Sequence, residues 1–89
     1  MSYFTYILKC FDGTFYTGFT TDLNKRLSTH NSGNGAKYTR SRLPCELVYF
    51  ETFSSKSDAL KRESFIKKKM SRQDKLELVE RGGYSGKVV

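Results

Sequence analysis

The sequence has no tryptophan, one proline, one histidine and two cysteines among its 89 residues. A lone imidazole (His30) and two well-separated thiols (Cys10 and Cys45) are too few ligands for a structural zinc site. No apolar run is long enough for a membrane helix, and no secretory leader pattern is visible. A cytoplasmic protein with no membrane partner is therefore expected, its cysteines reduced, with Cys10 a packing residue rather than a nucleophile. Acids are scarce too. Nine Asp and Glu face sixteen Lys and Arg, for a net charge of +7. Half of those bases (Lys56, Lys61, Arg62, Lys67, Lys68, Lys69, Arg72 and Lys75) fall between residues 56 and 75. Such a stripe suits a polyanion, either nucleic acid or an acidic protein surface, or else a solvated helix face. The length allows one core only, so one domain over residues 1–81 is expected, with a loosely held tail over 82–89.

Aromatic residues are plentiful, seven Phe and six Tyr. They concentrate in two β-like runs, 3–10 and 14–20, separated by the turn signal Asp12-Gly13. Parity decides the register. A two-residue loop would pair Phe11 with Thr14 and put Tyr6 and Tyr16 on opposite faces. A three-residue loop, Phe11-Asp12-Gly13 with Gly13 at positive φ, pairs Cys10 with Thr14. Leu8 then faces Tyr16, Tyr6 faces Gly18, and the two phenols become diagonal neighbours roughly 7–8 Å apart at the backbone. The three-residue loop is expected, with an open notch at Gly18 where another molecule could approach the chain.

A helix follows, capped by Thr21 or Asp22, with Leu23, Arg26, Leu27 and His30 along one arc of about 100°. Arg26 and His30 therefore flank the stripe that packs on the hairpin, either as functional groups or as boundary residues covering apolar surface. Asn31 to Gly35 reads as a stop and loop. Residues 36–44 carry Lys37, Tyr38, Arg40 and Arg42 with no acid among them. That composition suits a phosphate backbone and a stacked base, or simply a flexible surface connection.

A third strand is predicted over Glu46–Phe53. Apolar residues on both of its faces suggest a central position, covered on both sides. Serines 54, 55 and 57 offer caps for a helix over 56–70. Ser71-Arg72-Gln73-Asp74 resembles a capping box that opens a shorter helix ending near Gly82-Gly83. On the longer helix Ala59, Glu63, Ile66 and Met70 share an arc of about 60°. Glu63 thus falls in the apolar stripe and must be paired, with a cation such as Arg26, or protonated, or metal-bound.

Taken together these residues resemble the GIY-YIG nuclease domain. Phe4-Thr5-Tyr6 corresponds to the first signature and Tyr16-Thr17-Gly18 to the second. Arg26, His30 and Glu63 match the arginine, the His or Tyr, and the metal-binding glutamate that follow. The resemblance covers roughly residues 3–78 and is nearest to small bacterial stand-alone members that share the AKYTR loop and the ALKRE…IKK helix. Three departures stand out: Phe4-Thr5 replaces Gly-Ile, Phe19 stands where some members have lysine, and no asparagine lies beyond residue 34.

The resemblance implies an α+β fold in ββαβαα order, with a three-stranded, mainly antiparallel sheet flanked by helices. Tyr6, Tyr16, Arg26, His30 and Glu63 would converge on one face of it. The implied activity is metal-dependent hydrolysis of DNA phosphodiesters, in repair or processing, on nicked or branched DNA in preference to RNA. One Mg²⁺ (or Mn²⁺) on Glu63 suits an ion that keeps most of its waters. Arg26 would stabilise the phosphate oxygens. A phenol has a pKa of about 10 and needs a nearby cation to act as a base; the metal, Arg26 and a protonated His30 are expected to supply that field. Lys37, Tyr38, Arg40, Arg42, Lys67 and Lys68 are the expected nucleic-acid contacts. The rival reading is a nucleic-acid-binding module without turnover; a domain for an acidic protein partner comes third.

Overall fold

Asp12 organises the first hairpin. In the computed structural model, which describes residues 1–82, its carboxylate accepts from the Thr14 amide and hydroxyl at 3.1 and 2.6 Å. Gly13 takes φ +84° and donates to the Cys10 carbonyl, while the Cys10 amide donates to Thr14. This is the three-residue loop expected of the two alternatives. Strands β1 (Tyr3–Lys9) and β2 (Phe15–Thr20) accordingly pair Leu8 with Tyr16 and Tyr6 with Gly18.

Asp22 caps α1 (Leu23–Asn31), accepting from the Lys25 amide at 3.0 Å. The cationic segment that follows is not a flexible connection. It contains a short helix, α2 (Lys37–Arg40), with Thr39 wholly buried and Arg42 paired at the surface with Asp12 at 3.0 Å. Strand β3 (Glu46–Phe53) pairs antiparallel with β1, giving the sheet order β2-β1-β3. The expectation that β3 is central is therefore wrong: β1 is central and β3 is an edge. Its apolar residues on both faces report helices on both sides of the sheet, not a neighbour at each edge.

Ser55 caps α3 (Lys56–Lys69), and the Ser71/Asp74 pair forms the reciprocal capping box that opens α4 (Arg72–Gly82). The order is ββααβαα, the expected α+β arrangement with α2 added. The expected loose tail falls, Gly82 apart, outside the described residues.

Two clusters fill the two faces. Tyr6, Leu8, Cys10 and Cys45 pack with Leu23 and Leu27 of α1 on one side. Ile7, Tyr49 and Ile66 pack with Met70, just past α3, and with Leu78 and Val79 of α4 on the other. The two thiols lie 3.4 Å apart and are free; burial and the bond to Cys10 push the Cys45 thiol up to about 12. On the second face Arg62 grips Glu51 through both of its carboxylate oxygens, and Tyr49 donates to the same carboxylate. The pair ties α3 to β3.

Candidate active site

Tyr6 lies in the middle of the central strand with 2% of its surface exposed. Its ring passes over Gly18, where any Cβ would collide with the phenol. The glycine makes room for the Tyr6 ring, and its backbone still lines the cavity described below.

His30, the last inward residue of α1, is 1% exposed and lies behind Tyr6. Its Nε2 is 3.1 Å from the Tyr6 hydroxyl and its Nδ1 is 2.9 Å from the Thr39 hydroxyl. Thr39 has one proton to give and donates it to the Ala36 carbonyl at 2.9 Å, so toward His30 it accepts. With the Thr39 proton on the Ala36 carbonyl, the imidazole proton sits on Nδ1, Nε2 accepts and Tyr6 donates. Gly35 completes the seat, since a Cβ there would strike the His30 ring and backbone.

Charge follows from burial. Desolvation, and then the Arg26 guanidinium, hold the His30 pKa below its usual value near 6.5, so the ring is neutral at pH 7. Burial and then the Tyr16 phenol push the Tyr6 pKa well up, with Arg26 opposing and Glu63 reinforcing. The expected protonated His30 is corrected here: a buried imidazole with a cation nearby cannot hold a second proton cheaply, and it offers Tyr6 a lone pair instead of a field.

Tyr16 stands beside this pair, 6.5 Å from Tyr6 and 5.2 Å from His30 between ring centres. Tyr38 stacks on Tyr16 at 6.1 Å, and the Arg42 guanidinium lies 4.0 Å over Tyr38. Glu63 arrives from α3, its side chain 20% exposed and paired with Lys67 at 3.1 Å. Its partner is thus the lysine one turn on, not Arg26.

Tyr6, Tyr16, Gly18, Phe19, Arg26, Asn34, Gly35, Ala36 and Glu63 line one polar cavity of about 400 Å³. Phe19 and Glu63 come from the α3 side and the tyrosines and Arg26 from the α1 side. The residues therefore meet at the β2 edge of the sheet rather than on one face. Lys37, Arg40 and Lys68 are exposed and lie outside this cavity, while Arg42 and Lys67 are engaged in ion pairs. Sequence reasoning passed over Asn34, Gly35 and Thr39. The spaced glycines Gly33 and Gly35 and the threonine inside AKYTR were the available signals, and they read as loop chemistry.

Fold and site together define a small α+β nuclease-type domain. Residues 2–77 match the model of the GIY-YIG catalytic domain, and the chain belongs to the GIY-YIG nuclease family. Among its relatives is the UPF0213 protein SpyM3_1077 of Streptococcus pyogenes, 56% identical over 73 residues, covering 82% of this chain and 79% of that one. The UPF0213 protein SAG0778 of Streptococcus agalactiae is 53% identical over 77 residues, 86% of each chain. The solution structure of the UPF0213 protein BH0048 of Bacillus halodurans superposes with a TM-score of 0.61 at 45% identity, covering 98% of this chain and 92% of that one. EF2693 of E. faecalis gives 0.61 at 41% identity, covering 91% and 85%.

The departures from the family pattern have structural accounts. Phe4 packs edge-on against Phe50 at 5.9 Å, and Phe19 stacks on Tyr3 at 6.2 Å. The buried Thr5 hydroxyl donates to the Ala59 carbonyl at 2.6 Å, holding α3 to the central strand one turn before Glu63. Asn34 lines the cavity as well.

Nucleases of this family generally use a divalent metal. Glu63 is the only carboxylate among the residues lining this cavity, and no group of three or more His, Cys, Asp or Glu occurs among the described residues. A single carboxylate beside open polar space fits a hard, largely hydrated ion. Among the described residues, no helix is long and apolar enough to cross a membrane.

Proposed function

We propose that this protein is a metal-dependent endonuclease that hydrolyses DNA phosphodiester bonds, with the cavity at the β2 edge receiving the scissile phosphate. The observation that carries the proposal is the Tyr6–His30–Thr39 chain, a phenol donating to a neutral imidazole at the wall of a cavity shared with Arg26 and Glu63. A buried phenol with a raised pKa is a poor base alone. Hydrogen-bonded to neutral His30, it can take a proton from water while its own proton passes to Nε2. Tyr6, not Tyr16, is thus the better placed base.

Arg26 is solvent-accessible at the cavity and always charged, so it can bind non-bridging phosphate oxygens as charge builds on them. Glu63 would hold Mg²⁺ or Mn²⁺, which when bound supplies Lewis-acid stabilisation of the phosphate and a water of lowered pKa. Lys67, paired with Glu63 at 3.1 Å, would be released towards a phosphate once a metal took the carboxylate. Lys37, Tyr38, Arg40, Arg42 and Lys68 would steer and hold the strand around the cavity.

A second reading, a binding module without turnover, is favoured by one observation: Lys67 already neutralises the carboxylate that a metal needs. Cleavage of supercoiled and nicked DNA with Mg²⁺ or Mn²⁺ separates the two. Glu63→Gln is expected to slow cleavage by about 100-fold or more, in line with loss of a metal ligand or its charge. A Glu63→Gln protein that cuts as fast as its parent overturns the proposal.

A further inference from the structure

A second recess shares Tyr16 as a wall with the candidate active site. It encloses about 250 Å³ and is lined by Phe15, Tyr16, Thr17, Tyr38, Lys67 and Lys75. Its walls are aromatic, its charged groups are two ammonium ions, and no acid lines it. Lys67 reaches to 5.8 Å from the centre of the Tyr16 ring, so one lysine serves both recesses. The Thr17 hydroxyl is buried and has no hydrogen-bond partner among the described residues.

Aromatic walls with lysines at the rim match one nucleotide, its base against the rings and its phosphate against the ammonium groups. The recess shares Tyr16 with the cavity assigned to the cleaved phosphate, within reach of a neighbouring nucleotide of the same strand. In a continuous duplex that base is held between its stacked neighbours and its pairing partner, and it cannot enter a pocket without being unstacked. An acidic peptide would use the lysines alone, whereas a nucleotide uses the lysines and the aromatic walls together.

We infer that this recess receives an unpaired nucleotide next to the scissile phosphate, so that the substrate class is DNA with a single-stranded nucleotide at the cut (a gap, a flap or a free strand) rather than continuous duplex. The word scissile rests on the nuclease reading; the recess as a nucleotide site does not.

The test measures binding by fluorescence anisotropy on two DNAs of one sequence, a continuous duplex and the same duplex with a short single-stranded gap. The parent protein, Lys75→Ala and Tyr38→Leu are compared, and cleavage of both DNAs with Mg²⁺ is followed beside Glu63→Gln. The parent is expected to bind the gapped DNA about tenfold more tightly, the scale of one stacked base. That ratio should fall towards one in both variants. Should Tyr38→Leu lower thermal stability, Lys75→Ala carries the test alone.

Equal affinity of the parent for both DNAs, or an unchanged ratio in both variants, overturns the inference. Cleavage that Glu63→Gln abolishes but that ignores the gap leaves the nuclease standing and removes the recess. A gap preference without any cleavage does the reverse. Absence of DNA binding overturns both.

Discussion

On one side of the central strand, Ile7 meets Tyr49 and Ile66 with no hydrogen bond among them, Ile7 and Ile66 being wholly buried. On the other side, the adjacent residue Tyr6 is buried to the same degree but is held by His30, which is held by Thr39, which is held by the Ala36 carbonyl. The apolar side gains stability from many weak contacts, any of which can shift a little. The polar side depends on a few directional bonds in which each atom has one role. Each bond in that chain orients the next, and glycines at 18 and 35 leave no room for a methyl group. Equal burial therefore serves two ends, cohesion on one face and a defined tautomer on the other.

The largest effect is expected from Tyr6→Phe, which keeps the ring and removes the hydroxyl bonded to His30. Cleavage is expected to fall about 100- to 10,000-fold, the range for loss of a general base, with the far-ultraviolet circular dichroism unchanged. The opposite face predicts the opposite pattern. Ile66→Ala should lower the unfolding free energy by about 2–5 kcal/mol, measured by urea denaturation, with the rate per folded molecule kept. If the folded Ile66→Ala protein loses its cleavage, the faces are not independent.

Gly18→Ala probes the seam between them. The added methyl meets the Tyr6 phenol, so overpacking should cost about 1–3 kcal/mol and should lower the cleavage rate together with stability, unlike Ile66→Ala. The smallest effect is on pH. His30 binds its proton less readily in the folded chain than in the unfolded one. Its contribution is therefore intact above the unfolded imidazole pKa of about 6.5 and is lost as the pH falls from there towards the lower folded value. Melting temperature should decline over that interval, and His30→Gln should flatten the decline.

Much of this arrangement is legible in the residues. The register that brings Tyr6 opposite Gly18 follows from strand parity and from a glycine able to take positive φ at position 13. The helices and their serine and aspartate caps follow from local hydrogen-bond chemistry, and the family pattern singles out Tyr6, Tyr16, Arg26, His30 and Glu63. These features depend on neighbours a few residues apart.

The remaining features depend on which segments become neighbours in space. Two-sided burial of β3 could not distinguish a central strand from an edge strand with a helix on each face. Thr39 looked like one more polar residue in a basic loop until α2 placed its hydroxyl 2.9 Å from His30. The neutrality of His30, the choice of Lys67 over Arg26 for Glu63, and the meeting of both faces at the β2 edge share one cause. Desolvation and Coulomb interaction depend on distances through space, and the order of residues along the chain does not contain those distances.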